Sequence, residues 1–373
     1  LIFPSLLLRK KQRRIDQRDF LWIVMTVCYF GIYDPQYARN VVLMQGLQQN
    51  GVRVIECNSR ARGFKKYWEL WQRHRQIKDE YEVMIVGFLG QLVVPFARLI
   101  TRKPIVLDAY LSIYETMVFD RKLHTPWSLR GRFYFILDWL SSRLAKKVLL
   151  DTYQHIKYFT DTFHLPASRF ARIWIGSNDN VFYPRHVPHE PNKKLHLLYW
   201  GRMVPLQGVE CILQAAKFLE QEPIEFTLIG GGAEKPAMVR LKEQLGLPNV
   251  SMLDHVPQPD LVDYIEKADI CFGVFGATQK TQRVISVKIF EGMASGKAVI
   301  TSGTPAVREV LVDGVHCVFC RAADPRDLAD KILYLKDKPA LRKQLGENAY
   351  KMYLDKFNPK ALGRELVLIL QSV

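Results

Sequence analysis

The 373-residue sequence lacks any apolar run approaching the roughly 18 residues that a membrane-spanning helix needs. Its opening LIFPSLLL is short and is followed by RKKQRR, the reverse of a secretory signal, whose basic part comes first. Cysteine is scarce, with six in all, and Cys317 and Cys320 form a lone CxxC with no second pair. A zinc site therefore has no basis, and the pair reads as part of a strand. The chain reads as cytoplasmic with reduced thiols. Neither GxGxxG nor a P-loop occurs, which leaves dinucleotide-dependent and ATPase chemistry unsupported. No RNP, helix-turn-helix or zinc-finger pattern is present, so nucleic acid is not an expected partner. Internal repeats and low-complexity segments are also missing.

What is present is ordinary globular material, 48% hydrophobic and 24% charged, enough for two cores. The length favours two domains. Net charge is +16 and uneven: residues 1–185 hold 29 Lys+Arg against 15 Asp+Glu, whereas residues 186–373 hold 24 against 22. A basic half suits an anionic partner, such as a membrane surface or a lipid-linked phosphate. General solubility would give the same counts.

Apolar runs of strand length alternate with helical patterns, which predicts parallel sheets. Strands are expected at 21–27, 52–56, 83–88, 105–108, 148–151 and 172–175. After a proline-rich break at Phe182–Asn192 a second set follows, at 195–200, 225–229, 250–253, 270–274, 298–300 and 317–319. The resulting division is a tail at 1–19, a first Rossmann-like domain at 20–184 and a second at 185–360. A final apolar helix at 361–373 is expected to cross back to the first. Two such α/β domains face each other across a cleft, where small-molecule sites tend to lie.

The stretch Lys288–Glu309 reads as helix, turn, strand, loop and helix. Lys288 and Glu291 share one helix face. Thr304 and Pro305 suit the N-cap and first turn of the next helix. This puts charged groups and a helix start at the carboxyl edge of a strand, where open α/β sheets bind ligands. Arg202 follows another strand and is placed to hold a phosphate bidentately, although a solvated arginine in a turn would look the same. Gly230, Gly231 and Gly232 lie between a strand and a helix and permit close backbone approach. The loop with Gly273 and Gly276 carries Lys280 and Arg283 towards Lys288. In the first half, Asp108 ends a strand and Asp120 lies in an aromatic-rich loop.

The second half resembles the family 4 glycosyltransferases, which have the GT-B fold. Gly201-Arg202 to Gln207-Gly208 resembles their G-R-x4-K-G, and Ile229–Gly232 their glycine loop. Glu291–Ile300 resembles E-A-M-A-x-G-x-P-V-I, and Gly303–Glu309 with Asp313-Gly314 the G-x-P-E-x-x-x-D-G that follows. Gly176–Asp179 and Phe182–Pro184 resemble the junction motif G-V-D-x-x-x-F-x-P. The resemblance implies a retaining transfer of sugar from a nucleotide-sugar donor to a glycan or lipid-linked acceptor, in cell-surface polysaccharide or glycolipid synthesis. It implies no metal and no cofactor. Glu291 would bind the donor ribose and Arg202 the pyrophosphate, and Gly231, Gly232, Gly276 and Thr304 would surround the donor. Two positions depart from the pattern: the phosphate-binding Lys is Gln207, and the first Glu of E-x7-E is Arg283. Lys280, Arg283 or Lys288 would then restore positive charge. The first-domain His of the family has no match, and Asp108 or Asp120 is taken as its substitute. Two other readings stay open, a sugar-nucleotide 2-epimerase of the same architecture and a non-catalytic binding subunit.

Overall fold

Continuous apolar runs bounded by turns, without polar alternation, suit strands covered on both faces, as parallel sheets require. The computed structural model describes residues 25–185 and 194–373 and contains two such sheets. The first holds β1 (Thr26–Gly31), β2 (Arg53–Asn58), β3 (Val83–Val86), β4 (Ile105–Tyr110), β5 (Lys147–Leu150) and β6 (Phe170–Arg172), in the order β2-β1-β3-β4-β5-β6. The second holds β7 (Leu195–Trp200), β8 (Ile224–Ile229), β9 (Val250–Leu253), β10 (Ile270–Phe272), β11 (Ala298–Ser302) and β12 (Val318–Cys320), in the order β12-β11-β10-β7-β8-β9. All the pairings between these strands are parallel. Two doubly wound α/β domains therefore stand as the pattern predicts. Two strands differ from expectation: β1 begins at Thr26 and takes in the aromatic residues up to Gly31, beyond the expected end at 27, and β6 lies at Phe170–Arg172 where 172–175 was expected. Residues 21–24 of the expected strand, the 1–19 tail and linker residues 186–192 lie outside the described residues.

Helices α1 (Ala38–Gln49), α2 (Lys65–Ile77), α3 (Val94–Ile100), α4 (Leu129–Leu144) and α5 (Tyr153–Phe163) belong to the first domain. In the second, α6 (Val209–Phe218), α7 (Lys235–Leu245), α8 (Gln258–Lys267), α9 (Val287–Ala294), α10 (Pro305–Arg308), α11 (Pro325–Lys336) and α12 (Pro339–Lys356) surround the sheet. The last helix, α13 (Pro359–Gln371), returns to the first domain and packs on α1. Leu366 and Leu370 enter the same core as Val27, Leu43 and Leu47. The two helices meet backbone to backbone: a Cβ at Gly46 would stand 2.9 Å from Gly363 Cα.

The outgoing and returning chains cross side by side. Tyr353 Oη donates to the Ser177 carbonyl at 2.9 Å, and the Trp174 and Phe357 rings meet edge to face at 6.2 Å.

Candidate active site

In a doubly wound sheet the strand order reverses at one point, and the crevice outside the strand ends there is open to a ligand. In the second sheet that point lies between β7 and β10. Gly201 and Arg202 follow β7, Gly273 follows β10, and α9 brings Lys288 and Glu291 to the same place. Trp200, the last residue of β7, donates its indole N–H to Glu291 Oε2 at 2.6 Å. Glu291 is only 8% exposed. Burial pushes its pKa up to about 7, against the Trp200 hydrogen bond and the Lys288 charge, which both favour the carboxylate. Lys288 donates to Gln207 Oε1 and stands 3.9 Å from the Tyr199 ring centroid. Burial drives its pKa well below the ordinary lysine value, with Glu291 opposing. The sequence lacks a lysine at Gln207, and the structure brings the Lys288 ammonium to that turn from the neighbouring helix.

Arg202 is exposed, and its carbonyl accepts from Tyr199 Oη at 3.0 Å. Its positive charge bears on Tyr37 of the first domain. A cleft of about 720 Å³ opens beside it, lined by Trp200, Gly201, Arg202, the Gly230–Gly232 loop, His255, Val256 and Leu261. The glycines serve different ends. A Cβ on Gly231 would meet nothing within 4 Å, so this position leaves room for a ligand. Gly232 has φ +140°, and a Cβ there would lie 2.7 Å from Met203 N. Its lack of a side chain serves the fold, letting the loop lie on the turn after β7. Gly276 does likewise, since a Cβ would lie 2.6 Å from the Leu206 carbonyl. Thr304 is buried and caps α10, accepting from Val307 N at 3.3 Å.

Lys280 and Arg283 turn away from Gln207 and reach the first domain. Lys280 Nζ donates to Thr116 Oγ1 at 2.7 Å, and Arg283 Nη1 pairs with Glu115 Oε1 at 2.5 Å. Burial lowers the Lys280 pKa, although Asp120 and Glu115 oppose it. Thr278 donates to Asp120 Oδ1 at 3.3 Å, and Thr152 Oγ1 donates to the Arg283 carbonyl at 2.7 Å. On the same seam, Glu309 accepts from the Tyr153 and Gln154 amides at 2.9 and 3.0 Å. These are the first two amides of α5. The third, His155 N, is taken by Thr152 Oγ1, and the fourth, Ile156 N, by the Thr152 carbonyl. The free donors at the start of α5 are thus satisfied in part by a carboxylate from the other domain. Behind the seam His155 pairs with Asp151 and lies 3.7 Å from Glu115. Burial opposes its charge, but the two carboxylates outweigh this and raise its pKa to about 9.

The two first-domain candidates are thus differently placed. Asp108 is fully buried and does not face the cleft. Arg39 Nε lies 3.1 Å from both of its oxygens and Nη2 lies 2.9 Å from Oδ1, while Nη1 donates to the carbonyls of Ile173 and Trp174. This pair ties α1 to β4 and to the chain after β6. Asp108 was expected to end its strand but lies inside β4, and a carboxylate and a core arginine this far apart in sequence gave no sign of pairing. Asp120 is 2% exposed and lies in the seam with Thr278 and Lys280.

The sequence reading missed the switch point of the first sheet, between β1 and β3. There the Tyr37 and Phe88 rings lie 5.0 Å apart, and Phe88 meets Tyr110 edge to face, also at 5.0 Å. Asn40 Nδ2 donates to the Phe88 carbonyl at 3.3 Å, and Tyr37 remains partly exposed. The signal was available: the aromatic and polar stretch IYDPQY, residues 32–37, follows β1. His255 and Val256 were missed too, although they follow β9 at the carboxyl edge.

Residues 185–352 match the family model described as glycosyl transferases, group 1. An uncharacterized glycosyltransferase of Methanocaldococcus jannaschii is 29% identical over 231 residues, which are 62% of this chain and 60% of that protein. A D-inositol 3-phosphate glycosyltransferase of Thermomonospora curvata is 25% identical over 229 residues, 55% of this chain and 52% of that one. The chain therefore matches little more than half the length of these relatives. Among solved structures, Anabaena HepE in complex with UDP and glucose superposes with a TM-score of 0.69 at 16% identity, covering 94% of this chain and 100% of HepE. Sucrose-phosphate synthase of Thermosynechococcus elongatus gives 0.73 at 16% identity, covering 93% and 98%. At that identity the likeness establishes the shared two-domain fold.

Proposed function

We propose that the protein is a glycosyltransferase that holds a nucleoside-diphosphate sugar on its second domain and transfers the sugar to a hydroxyl presented by the first. The observation that carries this reading is the arrangement at the β7/β10 switch point, inside the segment that matches the group 1 model. An acidic group, Glu291, and two basic groups, Arg202 and Lys288, stand at one strand edge beside a glycine-lined cleft. In this reading Glu291 accepts from the ribose hydroxyls, and Arg202 lies along the diphosphate. Lys288 is the residue that offsets Gln207. The charge of an arriving diphosphate would favour its ammonium form, against the burial that lowers its pKa.

Breaking the bond between the anomeric carbon and phosphate leaves the electron pair on the diphosphate. Basic groups held in place at this strand edge stabilise that charge as it develops. Arg202 and Lys288 supply the charge in this scheme, and EDTA should leave turnover unchanged. The family 4 resemblance extends the reading to retention of anomeric configuration, with no protein nucleophile. A glycan or lipid-linked acceptor approaches from the side of Tyr37 and Phe88. Among the relatives is an N-acetylgalactosaminyltransferase of Campylobacter jejuni named for a diphospho-undecaprenol substrate, 25% identical over 185 residues, which supports an acceptor of that kind.

The test is a screen of nucleotide sugars, alone and with diphospho-polyprenol acceptors, following free nucleoside diphosphate. Release with at least one donor, lost in Arg202→Ala, is expected. No release from any donor would refute the transferase reading.

A further inference from the structure

We propose that the outer helical face of the first domain, formed by α2, α3 and α4, docks on an anionic lipid bilayer. The inner sides of these helices share one core: Leu70 of α2, Val94 and Ala97 of α3 and the Phe135 ring of α4 pack in the same cluster. Their opposite sides therefore look outward together. On α4 the outward stripe is Leu129, Phe133 and Ile136, spaced four and three residues apart, and Trp127 precedes it. Leu129 is 87% exposed and Trp127 81%. Phe64, the residue before α2, and Trp68 of α2 are exposed four residues apart, and Trp68 lies against Trp71 with ring centroids 4.9 Å apart. Leu99 of α3 is exposed as well.

Isolated exposed apolar residues need no account, but a clustered set bordered by cations does. Residues 121–136 contain four Lys or Arg and no Asp or Glu. Residues 60–75 contain six Lys or Arg and a single Glu. Arg75 lies over the Trp71 ring at 4.7 Å, with its charged end beside an indole. Large apolar side chains, tryptophans and basic residues on one face make the composition of a helix lying in the membrane interface, with cations at the headgroups. A second copy of this chain would bring like charges together. This choice between partners rests on charge complementarity. Among the described residues no helix is long and apolar enough to cross a membrane, so this face is a means of attachment from one side.

The position has a consequence for substrate delivery, which rests on the transferase reading above. Both α2 and α4 begin beyond the carboxyl ends of strands of the first sheet, on the edge that faces the cleft. A bilayer seated on this face lies beside the acceptor side of the cleft, where a lipid-anchored hydroxyl can enter.

The experiment is vesicle flotation of the full chain, using phosphatidylcholine vesicles with and without about 30% phosphatidylglycerol. The variants are the exposed-site triple Trp68→Ser/Trp127→Ser/Leu129→Ser and the charge pair Arg130→Glu/Arg132→Glu. Wild type should float with the anionic vesicles and lose binding in high salt. The triple variant should bind roughly tenfold or more weakly, with unchanged circular dichroism. Equal flotation on neutral vesicles, or undiminished flotation of the triple variant, would overturn the proposal. So would a wild-type dimer in sedimentation that the triple variant abolishes. Flotation requires no turnover, so its failure is separable from failure of the nucleotide-sugar screen.

Discussion

Glu291→Gln removes one titration and little else, because the amide keeps the shape of the carboxyl and can still accept from the Trp200 indole. The folded protein holds the Glu291 proton up to about pH 7, against an ordinary value of 4.5. Below about pH 4.5 both folded and unfolded states are protonated and the stabilisation is complete. As pH rises to about 7 the unfolded state ionises freely while the folded state resists, so stability falls. At about 1.4 kcal/mol per pH unit the loss approaches about 3 kcal/mol. Urea denaturation of wild type and Glu291→Gln at intervals from about pH 4 to about pH 8, read from the transition of the second domain, gives the difference directly. Wild type should lose about 3 kcal/mol relative to the variant across that window. Lys288 works in the opposite sense, because its lowered pKa makes folding easier as pH rises. Repeating the comparison in a Lys288→Met background keeps the two titrations apart. Parallel stability profiles for wild type and Glu291→Gln would refute the claim that burial dominates at this carboxyl. The same reasoning predicts that affinity for UDP increases as pH rises through about 7, where Glu291 becomes an acceptor for ribose hydroxyls.

Arg39→Met leaves the Asp108 carboxylate buried without its partner and should destabilise the first domain by about 3–5 kcal/mol, visible as a lower urea midpoint. Arg39→Met/Asp108→Leu should recover much of that loss, and a double variant no better than the single would count against the pairing argument. Gly232→Ala forces a side chain into φ +140° against Met203 N. It should cost about 1–3 kcal/mol and weaken UDP binding measured by calorimetry, whereas Gly231→Ala should fold normally. Glu309→Ala withdraws the acceptor from two amides of α5, worth about 1–2 kcal/mol, and should shift the domains towards separation. Solution scattering should then show a larger radius of gyration, and an unchanged radius would show that the seam does not hold the domains.

The strands were legible because burial on both faces leaves an apolar run, and the turns between them supply the boundaries. Two strands were read out of place: β6 lies at Phe170–Arg172 and not at 172–175, and β1 runs on into an aromatic segment that, with a proline soon after it, looks like a loop until its neighbours pair with it. Glu291, Lys288 and Arg202 were legible as strand-edge polar residues. What Lys288 touches was not: the contact with Gln207 joins positions 81 residues apart and depends on how two elements pack. Arg283 and Lys280 were read as donor groups because charge can be counted along a chain, but the direction of a side chain cannot. Their partners, Glu115 and Thr116, lie in the other domain. Asp108 misled for the same reason: it was expected to end its strand, β4 runs on to Tyr110, and nothing local points to an arginine 69 residues earlier.

The outgoing and returning chain segments at Ser177 and Tyr353 have a mechanical effect. A single connection would act as a tether, about which one domain could swivel in any direction. Two connections side by side behave as the two pins of a door hinge: twisting would have to stretch one against the other, so swinging is the soft motion left. The seam of Arg283, Glu115 and Glu309 is then the latch side of the door, and the cleft of Arg202 and Tyr37 is the doorway. Cutting the chain before α13 would leave the outgoing segment as the one covalent pin, with α13 held to the first domain only by its packing on α1.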